Sequence, residues 1–116
     1  MAMINRGDIV VTRVPQSGPS KIRPFVVVQN DQNNARLTNV IIAMVTSNTK
    51  WVGKSTTQVL VELSATNQAT GLTRISAVKC ENLYTVPQKN VRKIGRLPDP
   101  LLGEVGVALK ASLALK

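Results

Sequence analysis

Histidine is missing altogether from these 116 residues, and no other absence narrows the chemistry so far. Without imidazole there is no Ser-His-Asp or Cys-His nucleophile and no imidazole pair for RNA transesterification, so the commonest general base is out of reach. Cysteine occurs once, as Cys80, which excludes an internal disulfide, a CxxC redox pair and a cysteine zinc cage. A cytoplasmic setting fits that usage best. Carboxylates are scarce too: Asp8, Asp31, Glu62, Glu81, Asp99 and Glu104 are scattered, with no cluster along the sequence suited to a two-metal nuclease. No metal ligand set and no cofactor motif is therefore expected. No apolar run approaches a membrane span, and residues 1–8 lack the long apolar core of a signal peptide.

Positive charge is what the chain has in excess. Lys and Arg number 15 against 6 acidic residues, a formal charge of +9 on a small surface, so polyanions are the expected partners. The hydrophobic fraction of 43% comes mainly from Val, Ile, Leu and Ala and suits a folded core, whereas aromatics make up only 3%. This length supports one domain, read as spanning residues 1–116 without a linker.

Residues 8–14 are β-branched and partly alternating, which predicts a strand closed by Pro15, with a polar loop after it at 16–21. Residues 24–28 form a continuous apolar run of strand length, and residues 29–34 are dense in turn formers. A third strand, 39–45, is apolar on both faces and so central, and it delivers Thr46, Ser47 and Asn48 at a rim. A long connection carrying Lys50, Trp51, Gly53 and Lys54 precedes another extended segment at 58–63, and residues 64–71 read as a small polar loop. In the alternating strand 76–86, Val78 and Cys80 face inward, which leaves Lys79 and Glu81 together on the wetter face. Asp99 as N-cap and Pro100 at the first helical position start a helix, on which Leu102, Val105 and Leu109 recur at helical spacing towards Leu115. Gly103 and Gly106 weaken its propensity, so burial has to hold it.

Several blocks, in order, resemble the MazF/PemK family of toxins over almost the whole chain. Arg6-Gly7-Asp8-Ile9-Val10 is similar to the family's opening strand, and the segment from Lys21 through Arg23-Pro24-Phe25 to Asn30-Asp31 to its Arg-Pro strand. Val45-Thr46-Ser47-Asn48 resembles the segment with the family's active-site threonine, Val78-Lys79-Cys80-Glu81-Asn82-Leu83-Tyr84-Thr85-Val86 its late strand, and the last helix its C-terminal helix. The resemblance implies a mainly β fold, a small SH3-like (CcdB/MazF-like) β-barrel with a C-terminal α-helix, paired as a homodimer and held inactive by a cognate acidic antitoxin. It also implies a sequence-specific, metal-independent endoribonuclease, an mRNA interferase that cuts single-stranded RNA. The substrate's 2′-hydroxyl attacks the adjacent phosphorus, leaving a 2′,3′-cyclic phosphate and a 5′-hydroxyl. Such chemistry needs neither a nucleophilic side chain nor a metal, which agrees with the composition.

By the same resemblance Arg23 falls on the catalytic arginine, a permanent cation whose forked donors suit a phosphorane gaining charge. Thr46 falls on the family's threonine, with Ser47 assisting from the same turn. Glu81 is the best candidate for general base or for holding a cation in place, and Lys79 is its basic neighbour. Tyr84 stands where many members carry an arginine. Gln16, Ser17, Lys21, Asn48, Lys50, Trp51 and Lys54 rim the expected RNA groove. Trp51 either stacks on a base there or plugs a core edge or dimer contact. The basic run Lys89, Arg92, Lys93 and Arg96 adds non-specific RNA attraction, meets an acidic antitoxin, or is a solvated loop. Two rival functions are a gyrase-poisoning toxin of the CcdB kind on the same fold and a non-catalytic nucleic-acid-binding barrel. The first is disfavoured by a C-terminal tail without an aromatic residue.

Overall fold

The computed structural model describes residues 3–15 and 21–116. Six antiparallel strands, β1 (Asp8–Thr12), β2 (Arg23–Val27), β3 (Asn39–Thr46), β4 (Gln58–Val61), β5 (Ser76–Pro87) and β6 (Arg92–Arg96), join in the order β4-β5-β3-β2-β1-β6. The sheet is curled, a half-barrel. β3 lies inside it, as its two apolar faces require. Neighbouring residues send side chains into two separate cores: Ile9, Val26, Ala43 and Val45 into one, Val10, Phe25, Val27 and Ile42 into the other. That division is the period-2 geometry of a strand buried on both faces. Phe25 is fully buried, worth about 1.5–3 kcal/mol over exposure.

A helix at the C-terminus, α2 (Asp99–Ser112), closes the first core with Val105 and Ala108, flanked by Leu101 and Leu109. Its start lies one residue earlier than the sequence predicts. Pro98 occupies the cap, so Asp99 is already helical and makes no side-chain cap bond, though it still sets an acid against the positive end of the helix. The helix also stops at Ser112, short of Leu115.

Two segments read as turn and loop are helical. Asn30 caps α1 (Asp31–Arg36), its Oδ1 accepting from the Asn33 amide at 2.7 Å, so the same polar residues that favour turns here serve a helix N-terminus. Residues Ala65–Thr70 form a 3-10 helix that lies against β6 where Gly95 has no side chain. A Cβ on Gly95 would stand 2.3 Å from the Ala69 and Thr70 carbonyl oxygens.

The basic run is split by β6, which is a strand and not a solvated loop. Lys93 Nζ and Arg96 Nη1 lie 3.2 and 3.3 Å from Asp8 Oδ1, while the Asn5 amide donates to Asp8 Oδ2 at 2.8 Å. Asp8 is wholly buried, so these three partners tie the first strand to the last. Arg92 is not among the partners of Asp8. No described helix is long and apolar enough to cross a membrane.

Candidate active site

Antiparallel pairing of β2 with β3 sets Phe25 opposite Met44. Two residues further out, the start of β2 and the end of β3 therefore meet, which brings Arg23 and Thr46 to one cavity of about 390 Å³. Lys21, Ser47 and Arg74 share its lining. Among the described residues three cations, Lys21, Arg23 and Arg74, line it and no carboxylate does.

Arg23 is half-buried between Pro24 and the strand end, and no hydrogen bond or ion pair engages its side chain among the described residues. Its Nε is out of contact with solvent and has no acceptor. A buried donor left unmade costs about 1–3 kcal/mol, so the guanidinium stands ready for an anion. Thr46 is the second strand-end group. Its Oγ1 accepts from the Asn48 amide at 3.1 Å, which fixes the oxygen and leaves the hydroxyl hydrogen to donate outward. Asn48 in turn accepts from the Lys50 amide at 3.1 Å through Oδ1, so it shapes the turn with that oxygen.

Beyond this turn Trp51 stands 48% exposed and does not plug the core of its own chain. Lys50 and Lys54 hold their Nζ atoms 5.1 and 5.8 Å from its ring centroid, a cation–π arrangement that stiffens an exposed loop. Gln16 and Ser17 lie outside the described residues.

Lys79 and Glu81 are not brought to the Arg23–Thr46 cavity. Lys79 sits between Gln58 on β4 and Met44 on β3. The register then jumps: Met44 faces Lys79 and Ala43 faces Leu83, so Cys80, Glu81 and Asn82 bulge without partners on β3. The bulge carries Glu81 to β4, where its two oxygens accept from Thr57 Oγ1 at 2.9 Å and Gln58 Nε2 at 2.8 Å. Partial burial pushes this carboxyl up, but the bonds from Gln58, the backbone and Thr57, with Lys79 nearby, outweigh it and hold the group below its ordinary range. It is thus ionised and occupied. Cys80, buried on the same bulge, has its thiol pushed up to about 12 by burial and the adjacent Glu81 charge. Tyr84 is half-buried, its ring edge-on to Phe25 with the centroids 5.9 Å apart.

Arg74 is the cavity residue that the sequence did not disclose. It follows an irregular segment with no periodic pattern, and only the fold carries it to the start of β2. Among the described residues no three His, Cys, Asp or Glu side chains gather as a metal site.

Residues 5–113 match the family model described as the PemK-like, MazF-like toxin of type II toxin-antitoxin systems. The endoribonuclease EndoA of Bacillus subtilis (strain 168) is 30% identical over 117 residues, covering 97% of each chain. The solved Mycobacterium tuberculosis toxin MazF-mt6 superposes with a TM-score of 0.74 at 27% identity, over 94% of this chain and 98% of its own. A mycobacterial endoribonuclease solved in complex with its cognate antitoxin reaches a TM-score of 0.79 over 97% of both chains. Its identity is 18%, and that likeness is one of fold.

Proposed function

The chain belongs to the PemK-like, MazF-like toxin family of type II toxin-antitoxin systems, and we propose that it is the endoribonuclease of such a pair, acting on single-stranded RNA in the cytoplasm. One observation carries the reading: an unpaired, half-buried guanidinium and a strand-end hydroxyl share a cavity lined with further cations and no acid.

The ribose 2′-oxygen attacks the adjacent phosphorus as its proton passes to water, the bond from phosphorus to the 5′-oxygen breaks, the leaving oxygen takes a proton from water, and the products are a 2′,3′-cyclic phosphate and a 5′-hydroxyl. Arg23 neutralises the charge that builds on the non-bridging oxygens, satisfying its own free donors in doing so. Thr46, with its oxygen already anchored, donates to a non-bridging oxygen or orients the attacking hydroxyl. Ser47, Lys21 and Arg74 hold neighbouring phosphates. Glu81 suits a holding role better than proton uptake, because both oxygens are occupied and its lowered pKa makes it a weak base at neutral pH. It fixes Thr57 and Gln58 beside Lys79, on the side of the sheet edged by the Trp51 loop. Trp51, Lys50 and Lys54 extend the groove, and a base stacks on the indole by displacing one ammonium group. An acidic antitoxin neutralises this basic surface, and the active toxin is a homodimer.

Incubation of the purified protein with an end-labelled single-stranded RNA in EDTA tests the proposal. Wild type is expected to cut at a few sites and leave cyclic phosphate ends. Arg23→Ala is expected to lose at least about 100-fold in rate, the usual cost of removing an oxyanion donor, with an unchanged melting temperature. Thr46→Ala is expected to lose less. Intact RNA with wild type, or equal cutting by Arg23→Ala, contradicts the proposal.

A further inference from the structure

A second cavity, of about 420 Å³, lies beside the first, and the two share Ile22 as a common wall. Its other lining includes Val11, Thr12, Arg13, Asn90 and Arg92. Strand register sets the two side by side across the sheet. Arg92 on β6 faces Val11 on β1, Val11 faces Pro24 on β2, and Val45 stands beside Pro24, since the next pair along is Phe25 with Met44. A single row across four strands thus runs from Arg92 to the Arg23–Thr46 cavity, three strand spacings or about 14 Å.

Arg13 and Arg92 are both exposed, and neither has a hydrogen bond or ion pair from its side chain among the described residues. They differ in this from Lys93 and Arg96 on the same edge, which Asp8 engages. The wall between the cavities is an aliphatic side chain left 59% exposed, and Thr12 Oγ1 donates to the Asn90 carbonyl at 2.9 Å, bracing the far wall. Unpaired guanidinium groups alternating with an exposed apolar ridge suit a chain that alternates phosphates with flat bases.

We propose that RNA leaving the Arg23–Thr46 cavity crosses Ile22 and enters the second cavity, where Arg13 and Arg92 each bind a backbone phosphate flanking the cut. The inference rests on the endoribonuclease reading and names a stretch of substrate path within it. Arg13 and Arg92 are binding residues for the flank and take no part in bond breaking. Each contributes a phosphate contact, so each sets part of the salt dependence, about 0.7 in the slope of log affinity against log salt for a single strand.

The test uses two RNAs around a mapped cut site, one ending close to the cut and one extended on both flanks. For the extended RNA, the double variant Arg13→Ala with Arg92→Ala is expected to raise KM roughly tenfold and to lower the salt slope by about 1.4. Its rate at saturating RNA should change less than twofold. The truncated RNA should show no KM difference, and the double variant to lysine should recover most of the affinity, which a folding defect would not allow. Unchanged KM and salt slope on the extended RNA overturn the inference while leaving the endoribonuclease reading intact. Unchanged RNA affinity with weakened binding of an acidic antitoxin overturns it in favour of a protein contact. An equal rise in KM on both RNAs also overturns it, because the flank would then have no separate site.

Discussion

Arg23 illustrates why an unpaired charge is informative. A surface arginine beside a proline usually finds water or a neighbouring acid, yet this one has a buried Nε with no acceptor and lines a cavity with two further cations. Glu81 shows the reverse, a carboxylate whose oxygens are already spoken for. Its pKa is lowered, so its ionised form stabilises the fold above the ordinary carboxylate range and that support fades as pH falls through the depressed value. The group is mostly exposed, so solvent screening keeps the contribution small. An NMR titration of Glu81 is expected to show a midpoint below the ordinary value that rises in Gln58→Leu. An unmoved midpoint would show that the Gln58 bond is not its main support. Cys80, buried with a thiol pushed up to about 12, is expected to resist alkylation at pH 8 and to react once urea unfolds the chain. Prompt modification of the native protein would place it nearer the surface.

At the scale of elements, two contacts hold the edges of the sheet. Asp8 joins β1 to β6 through Lys93 and Arg96, both half-exposed, so Asp8→Ala is expected to cost about 2 kcal/mol in urea unfolding, mainly through lost charge-assisted bonds. Gly95→Ala is expected to cost about 1–3 kcal/mol because the methyl group would meet the 3-10 helix backbone, which cannot rotate aside. Five of the six strands were legible in the sequence, since β-branched runs such as 24–28 and 39–45 state their own periodicity, whereas β6 lay hidden in the basic run at 89–96. Residues 30–36 were not, because Asn and Asp favour turns and helix caps for the same reason, a side chain that bonds nearby amides. Residues 65–70 were hidden for another reason: only the bare backbone of Gly95, distant in sequence, gives them a surface to lie on. Of the candidate site, Arg23 and Thr46 were readable from their motifs and meet in the fold. Plain alternation put Val78 and Cys80 inward and left Lys79 and Glu81 outside, as the fold has them, but the three-residue bulge at Cys80 to Asn82 that hands Glu81 to Thr57 and Gln58 left no mark in the pattern.

Across the whole molecule, charge and shape tell one story. Half of the six acids are engaged with their own chain, Asp8 by the cations of β6, Asp31 by the Arg6 amide and Glu81 by Thr57 and Gln58, whereas cations at the strand ends stay free. The surface around β2 and β3 is therefore left with positive charge that only an outside polyanion can answer. The catalytic idea that follows is economical, in that the substrate supplies the nucleophile and the protein supplies fixed positive charge. Its most direct test is an RNA identical to a good substrate except for a single 2′-deoxyribose at the mapped cut position, offered to wild type in EDTA. The account predicts that this RNA binds with near-normal affinity and stays whole while the all-ribose strand is cut. Cleavage of the substituted strand at the same position would show that the attacking oxygen comes from elsewhere.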